Sequence, residues 1–230
     1  MAALEKGGDV APRSWNEGEA RTVGNSRPTP GWPELVAAGA GLLSGTLAAV
    51  AYYSVFLNPL THAFTIWVVL AVVVVRRQPS AQAIMRATIA LLGAVVAFYV
   101  GKKVVYGIKY AGSSYELNVV VLIFWCIVAI GAGIVFGLVF RHIGNDDQAG
   151  KIATAAAIGL LIGDAVRRYG LSDPLLLVAV SAGVALVMWL GARSGGAAIR
   201  IALWSVPLAV VGFAVSSAPD LLQQLRVVGF

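Results

Sequence analysis

Asp164 is the residue best placed for chemistry in this chain. It sits at the end of an apolar run, Gly159-Leu-Leu-Ile-Gly163-Asp164-Ala165-Val166, and is followed by Arg167 and Arg168. A carboxylate is costly in hydrocarbon, and where one persists it marks an ion or substrate path or a compensated pair. Arginines three and four positions along a helix can reach it, so a local ion pair near the span end is the default reading. The sharper one is a coupling carboxylate that exchanges ion pairs with Lys102 or Lys103 as a proton or solute passes.

Other reactive groups are too few or wrongly spaced. Cys126 is the sole cysteine, and His62 and His142 fall on opposite faces, so neither a zinc set nor a thiol–imidazole pair can assemble. Gly144-Asn-Asp-Asp-Gln-Ala-Gly150-Lys151 is one residue too long for a phosphate loop and lacks the Ser or Thr that would meet magnesium. Asp146 and Asp147 have too few oxygen neighbours to hold a hard cation, and a solvated loop is expected there. The sequence therefore predicts no enzyme, no catalytic or metal residues and no cofactor.

Glycines form the second pattern. Gly39-Ala-Gly-Leu-Leu-Ser-Gly45, Gly131-Ala-Gly-Ile-Val-Phe-Gly137 and Ala157-Ile-Gly-Leu-Leu-Ile-Gly163 each contain a G-x-x-x-G step. Glycines four apart share a helix face and let another backbone approach closely, so Gly41, Gly45, Gly133, Gly137, Gly159 and Gly163 are expected at helix contacts. The first two heptads fall in spans of opposite direction, which admits an inverted three-plus-three repeat; shared glycine-rich composition is the default explanation.

The elements that must position these residues follow from composition. Of 230 residues, 59% are hydrophobic and 12% charged, which excludes an ordinary soluble domain and predicts an all-α, polytopic transmembrane bundle. Seven stretches qualify as spans: Leu35–Phe56, Leu57–Val75, Ala81–Val105, Leu117–Phe140, Ala149–Val166, Pro174–Leu190 and Ala197–Ser216. The apolar cores of the second and fifth are short, which leaves six as the alternative count. Asn58-Pro59, Ser80 after Pro79, and Asp173-Pro174 read as helix starts, and Pro207 should kink the last span. Residues 1–34, with four prolines, read as a flexible polar tail, 35–216 as the membrane domain, and 217–230 as a short interfacial segment opened by a capping box at Ser217-Ala-Pro-Asp220.

Seven crossings sort the loops onto two faces. One holds Arg21, Arg27, Arg76, Arg77, Arg86, Arg141, Lys151, Arg193 and Arg200; the other holds Lys102, Lys103, Lys109, Arg167, Arg168 and Arg226. That excess predicts a plasma-membrane protein with a cytoplasmic N-terminus and an outer C-terminus. Arg86 and Arg200 are expected to snorkel to the inner surface. All seven tyrosines fall toward the outer face, and Trp32, Trp189 and Trp204 toward the inner. Aromatic belts explain this, but Lys102, Lys103, His62, Glu116 and Asp164 share the tyrosine face, so a Tyr-lined vestibule is the sharper expectation. The net charge of +6 is scattered at helix ends, which suits an anionic leaflet and not nucleic acid.

The first span ending Ala51-Tyr52-Tyr53, together with Gly159-Leu-Leu-Ile-Gly163-Asp164-Ala165-Val166, resembles a group of uncharacterised small multi-pass membrane proteins of actinobacteria over roughly residues 35–190. That resemblance implies a membrane protein and supplies no mechanism. Two functional readings compete. The first is a bilayer-embedded structural or accessory component that packs through its glycine faces, with lipid and a membrane protein partner or a second copy as its contacts; here Asp164→Asn should leave abundance unchanged. The second is a small solute- or ion-coupled transporter using Asp164 beside the vestibule.

Overall fold

In the computed structural model the described residues are 31–110, 116–169 and 173–228, among which eight helices and no strands occur. Residues 1–30 and 111–115, including Tyr115, and the side chains of His62, Tyr169, Asp220 and Arg226 lie outside the described set. The helices are α1 (Trp32–Tyr52), α2 (Asn58–His62), α3 (Thr65–Val75), α4 (Ser80–Lys109), α5 (Val119–Phe140), α6 (Gln148–Tyr169), α7 (Pro174–Gly191) and α8 (Gly195–Val228).

Their direction follows from who meets whom. Glu34 pairs with Arg86, Gly41 lies on Ala90, Gly45 lies on Ala94, and the Tyr53 hydroxyl donates to the Lys102 carbonyl. Contacts rising together in both helices mean that α1 and α4 run parallel. The chain between them must therefore return from the Tyr52 end to the Arg77 end, and only α2 and α3 are available to carry it. Eleven residues of α3 rise about 16 Å, half a hydrocarbon layer, and α2 with the connecting residues supplies the remainder.

Six helices, α1, α4, α5, α6, α7 and α8, are long and apolar enough to cross a membrane, and α3 is not. The two expected counts thus meet: there are six continuous spans and a seventh, broken passage. An odd number of passages brings Tyr52, Lys102 and Asp164 to one end of the bundle, the tyrosine end, and Arg77, Arg141 and Arg193 to the other, the arginine end.

Helix starts are partly as the sequence predicts. Asp173 caps α7, its Oδ1 accepting from Leu175 N at 2.9 Å and Leu176 N at 3.1 Å, with Pro174 in the first turn. The other two starts are correct in place but use different chemistry. Asn58 donates its side-chain amide to the Tyr52 carbonyl at 2.7 Å, and the Ser80 hydroxyl accepts from Arg141. Asp147 is no free loop carboxylate: its Oδ1 accepts Gly150 N at 2.7 Å across the first turn of α6. Ser217 starts no new helix, because its hydroxyl donates to Phe213 O and α8 runs on to Val228.

The main core gathers Val68, Val72 and Val75 of α3, Ile158 and Leu161 of α6, and Leu176 and Val187 of α7. In α6, 67% of the membrane-length window is buried, against 11% in α5. That explains why the fifth span looked weak: a helix surrounded by protein needs small residues for close packing, whereas α5 faces outward with Ile123, Ile127 and Val135.

Two glycine seams stiffen the bundle. A Cβ added at Gly41 or Gly45 would overlap the backbone of Ala90 or Ala94, and one at Gly159 or Gly163 would overlap the backbone of α8 at Leu208 and Phe213. In both cases a glycine of the leading helix meets a parallel helix about 49 residues later, on the same register. The packing equivalence therefore joins the first and third passages to the fifth and seventh, in the same direction, in place of the inverted relation between the first and fourth. The likeness ends at the seams, since α3 packs beside α4 whereas α7 packs beside α6. Gly133 and Gly137 serve a third contact, antiparallel, against Thr88 and Ile84 of α4.

Candidate functional site

The site is built on the break between α2 and α3. Ala63 is extended, with φ −82° and ψ 141°, and Phe64 occupies the N-cap of α3 with no side-chain oxygen to offer. The opening N–H groups of a helix have no partner within it, and inside a membrane water does not reach them. Asp164 supplies the missing acceptor. Its Oδ2 receives the Phe64 N–H at 2.7 Å from α6. The positive end of the α3 dipole favours the carboxylate there.

The same carboxylate meets both arginines. Arg167 Nη2 donates to Asp164 Oδ1 at 3.0 Å, and Arg168 Nε stands 3.8 Å from that oxygen. The Asp164 side chain is only 1% exposed. The local pair expected from spacing is therefore present, but it is also a tie between two helices, which the spacing alone does not reveal.

Beside the break lies a cavity of about 240 Å³ bounded by Tyr52, Thr61, Ala63, Phe64, Trp67, Phe98, Tyr99, Lys102, Trp125 and Arg168. Lys102 Nζ sits 3.8 Å over the Tyr52 ring, 5.4 Å from the Phe98 ring and 6.0 Å from the Tyr99 ring, an arrangement in which ring faces stabilise the ammonium group. The Arg168 guanidinium lies 6.0 Å from the Phe64 ring. Further tyrosines extend the cluster toward the bundle end, with Tyr53 to Tyr106 at 6.3 Å and Tyr106 to Tyr110 at 4.9 Å. Among the described residues the charged side chains that line this cavity are Lys102 and Arg168, and Asp164 and Arg167 adjoin it through their contacts with Phe64 and with each other.

Of the sequence candidates, the structure brings together Asp164, Arg167, Arg168 and Lys102. Lys103 is exposed and lines no part of the cavity, and Glu116 is exposed too. The six glycines lie away from the cavity, in the seams. Arg86 does not snorkel: it is 8% exposed and paired with Glu34 at 3.1 Å. Trp32 and Trp189 stand exposed at the arginine end, as a belt requires. Among the described residues no three His, Cys, Asp or Glu side chains converge as a metal would need. The sequence reading missed Phe64, Trp67 and Trp125, and its available signal was the short apolar core at Ala63–Val75.

Comparison with protein families gives a match that runs from before the first passage into the last helix. The profile of DUF6518, a family of unknown function, matches residues 25–222. The chain belongs to DUF6518. The matched region of this DUF6518 chain contains every helix that contributes to the cavity and both glycine seams. No curated protein matches the chain. No solved structure matches it.

Proposed function

We propose that this DUF6518 protein is a small membrane carrier that binds an anionic solute at the tyrosine end, rather than a passive packing component. The observation that carries this reading is the broken passage: a helix N-terminus, held in the bundle by Asp164, opens beside a cavity lined by Lys102 and Arg168. Broken helices at the binding site are a recurrent device of transporters, since their termini present unpaired backbone groups and can shift as half-length units.

The chemistry of a cycle follows. An anionic ligand meeting Arg168 competes with Asp164 for the guanidinium group. Weakening that pair loosens the carboxylate that caps Phe64, so ligand occupancy and the position of α3 become linked through one side chain. No bond is made or broken, and the reading needs neither catalysis nor a cofactor.

The accessory-component reading rests on glycine faces that pack the helices together, with room for a partner or second copy in the bilayer. Those glycines pack against α4 and α8 of the same chain, so a partner or second copy would meet the outward faces of the bundle, which are largest on α5 and α8. We place the protein in the plasma membrane with the arginine end cytoplasmic, on the excess of basic residues there. The resemblance to small actinobacterial membrane proteins belongs to the same reading.

Reconstitution of the full chain into sealed vesicles tests the proposal. Uptake of anionic solutes above that of empty vesicles, lowered about tenfold in Lys102→Gln, is expected. No flux across a broad panel of anions would overturn the carrier reading.

A further inference from the structure

We infer that the occupant of the site is an anionic membrane amphiphile, with its acidic head between Lys102 and Arg168 and its hydrocarbon chain in a groove beneath them. This rests on the reading that the tyrosine-end cavity is a ligand site, and it specifies the class of ligand.

A second cavity, of about 250 Å³, adjoins the first, and Phe64, Trp67 and Trp125 form walls of both. Its further walls include Leu91 of α4, Phe136 of α5 and Leu160 of α6, so it descends from the tyrosine end toward the middle of the bundle. The lining is apolar almost throughout. The one hydroxyl along it, that of Ser216, donates to the Phe213 carbonyl within α8.

A small hydrophilic anion would satisfy the upper cavity and leave the lower one without matching chemistry. A wholly apolar ligand would do the reverse, leaving Lys102 to the rings alone; among the described residues no carboxylate pairs with that lysine. A molecule with a phosphate or carboxylate at one end and a hydrocarbon chain at the other matches both. Entry from the bilayer is available because α5 and α8, which flank the groove, are the least buried spans, at 11% and 17%. A charged head drawn from the leaflet then meets cations in a partly desolvated setting, where charge-assisted hydrogen bonds are strongest.

Tryptophan quenching reads this directly, because Trp67 and Trp125 line both cavities. The full chain with Trp15, Trp32, Trp189 and Trp204 replaced by Phe is placed in phosphatidylcholine vesicles. These carry a minor fraction of either brominated-chain phosphatidic acid or brominated-chain phosphatidylcholine. Phosphatidic acid should quench with about tenfold higher apparent affinity, and Lys102→Gln should remove most of that preference while Lys102→Arg retains it. Gly131→Leu should weaken quenching by both lipids, since a side chain there grows into open space in the groove.

Equal quenching by the two lipids would overturn the proposal. So would displacement of the acidic lipid by inorganic phosphate without dependence on chain, a result that assigns the site to a soluble anion and leaves the carrier reading standing. Selective quenching by phosphatidic acid in a protein that moves no solute would support this inference and overturn the transport reading instead.

Discussion

Asp164 and Phe64 are 100 residues apart in sequence, and the carboxylate of the first accepts the backbone N–H of the second at 2.7 Å. One buried side chain thereby closes a helix terminus on α3 and neutralises part of an arginine pair on α6. The acid is thus a tie between passages before it is anything else.

Asp164→Asn keeps an acceptor for the Phe64 amide but removes the charge that Arg167 and Arg168 meet on α6. Removing one partner of a buried pair costs about 3–5 kcal/mol, so the full chain in mild detergent should melt at a clearly lower temperature. Adding Arg167→Gln should restore part of the loss. An unaltered melting temperature for the single variant would show that the tie carries no stability, and it is the result expected if Asp164 served no contact at all.

The two seams should respond alike. Gly45→Ala and Gly163→Ala each push a methyl group into helix backbone and should cost about 1–3 kcal/mol, by separating α1 from α4 or α6 from α8. Gly39→Ala and Gly131→Ala meet nothing within 4 Å and should be neutral or slightly stabilising. Thermal unfolding of the four variants measures the contrast, and equal behaviour of all four would remove the seams from the account.

Lys102 and Lys103 are adjacent in sequence and differ in surroundings. Lys102→Gln should lower anion uptake about tenfold, as expected for the loss of one charge-assisted contact, whereas Lys103→Gln should leave it unaltered. Uptake in sealed vesicles separates them. Identical losses would indicate a general surface-charge effect in place of a site.

The broken passage predicts sidedness. Single cysteines at Ser54 and at Gln78, in a Cys126→Ser background, should be labelled by an impermeant thiol reagent from opposite sides of the membrane. The same holds for Glu116 against Asn145. Labelling of Ser54 and Gln78 from one side would mean that α2 and α3 enter and leave by the same face.

The sequence made the bundle legible because hydrocarbon imposes a simple rule: long apolar stretches such as Leu117–Phe140 have no other stable place. It also exposed Asp164 with its arginines, since a charge stands out against Leu and Ile. Less visible was the purpose of short or mixed segments. The Ala- and Gly-rich run of α6 looked weak because its surroundings are protein, and Ala63–Val75 looked short because it is half a passage completed by another helix. Trp67 and Trp125 could not be selected from composition, as an aromatic residue that lines a cavity has the same local pattern as one that fills a core. The glycines of the heptads lie against helix backbone, but their partners, such as Ala90, Thr88 and Leu208, lie about 45–53 residues away and are ordinary residues that carry no signature.

The cap on α3 also bears on biogenesis. Chains enter the bilayer from the N-terminus onward, so the second passage emerges long before the fifth is synthesised. Until α6 arrives, the Phe64 amide has no carboxylate to receive it, and a bare peptide group in lipid is strongly disfavoured. The nascent half-helix must wait at the headgroup layer or beside the insertion machinery, and its final seating is a late event, timed by the arrival of a single aspartate.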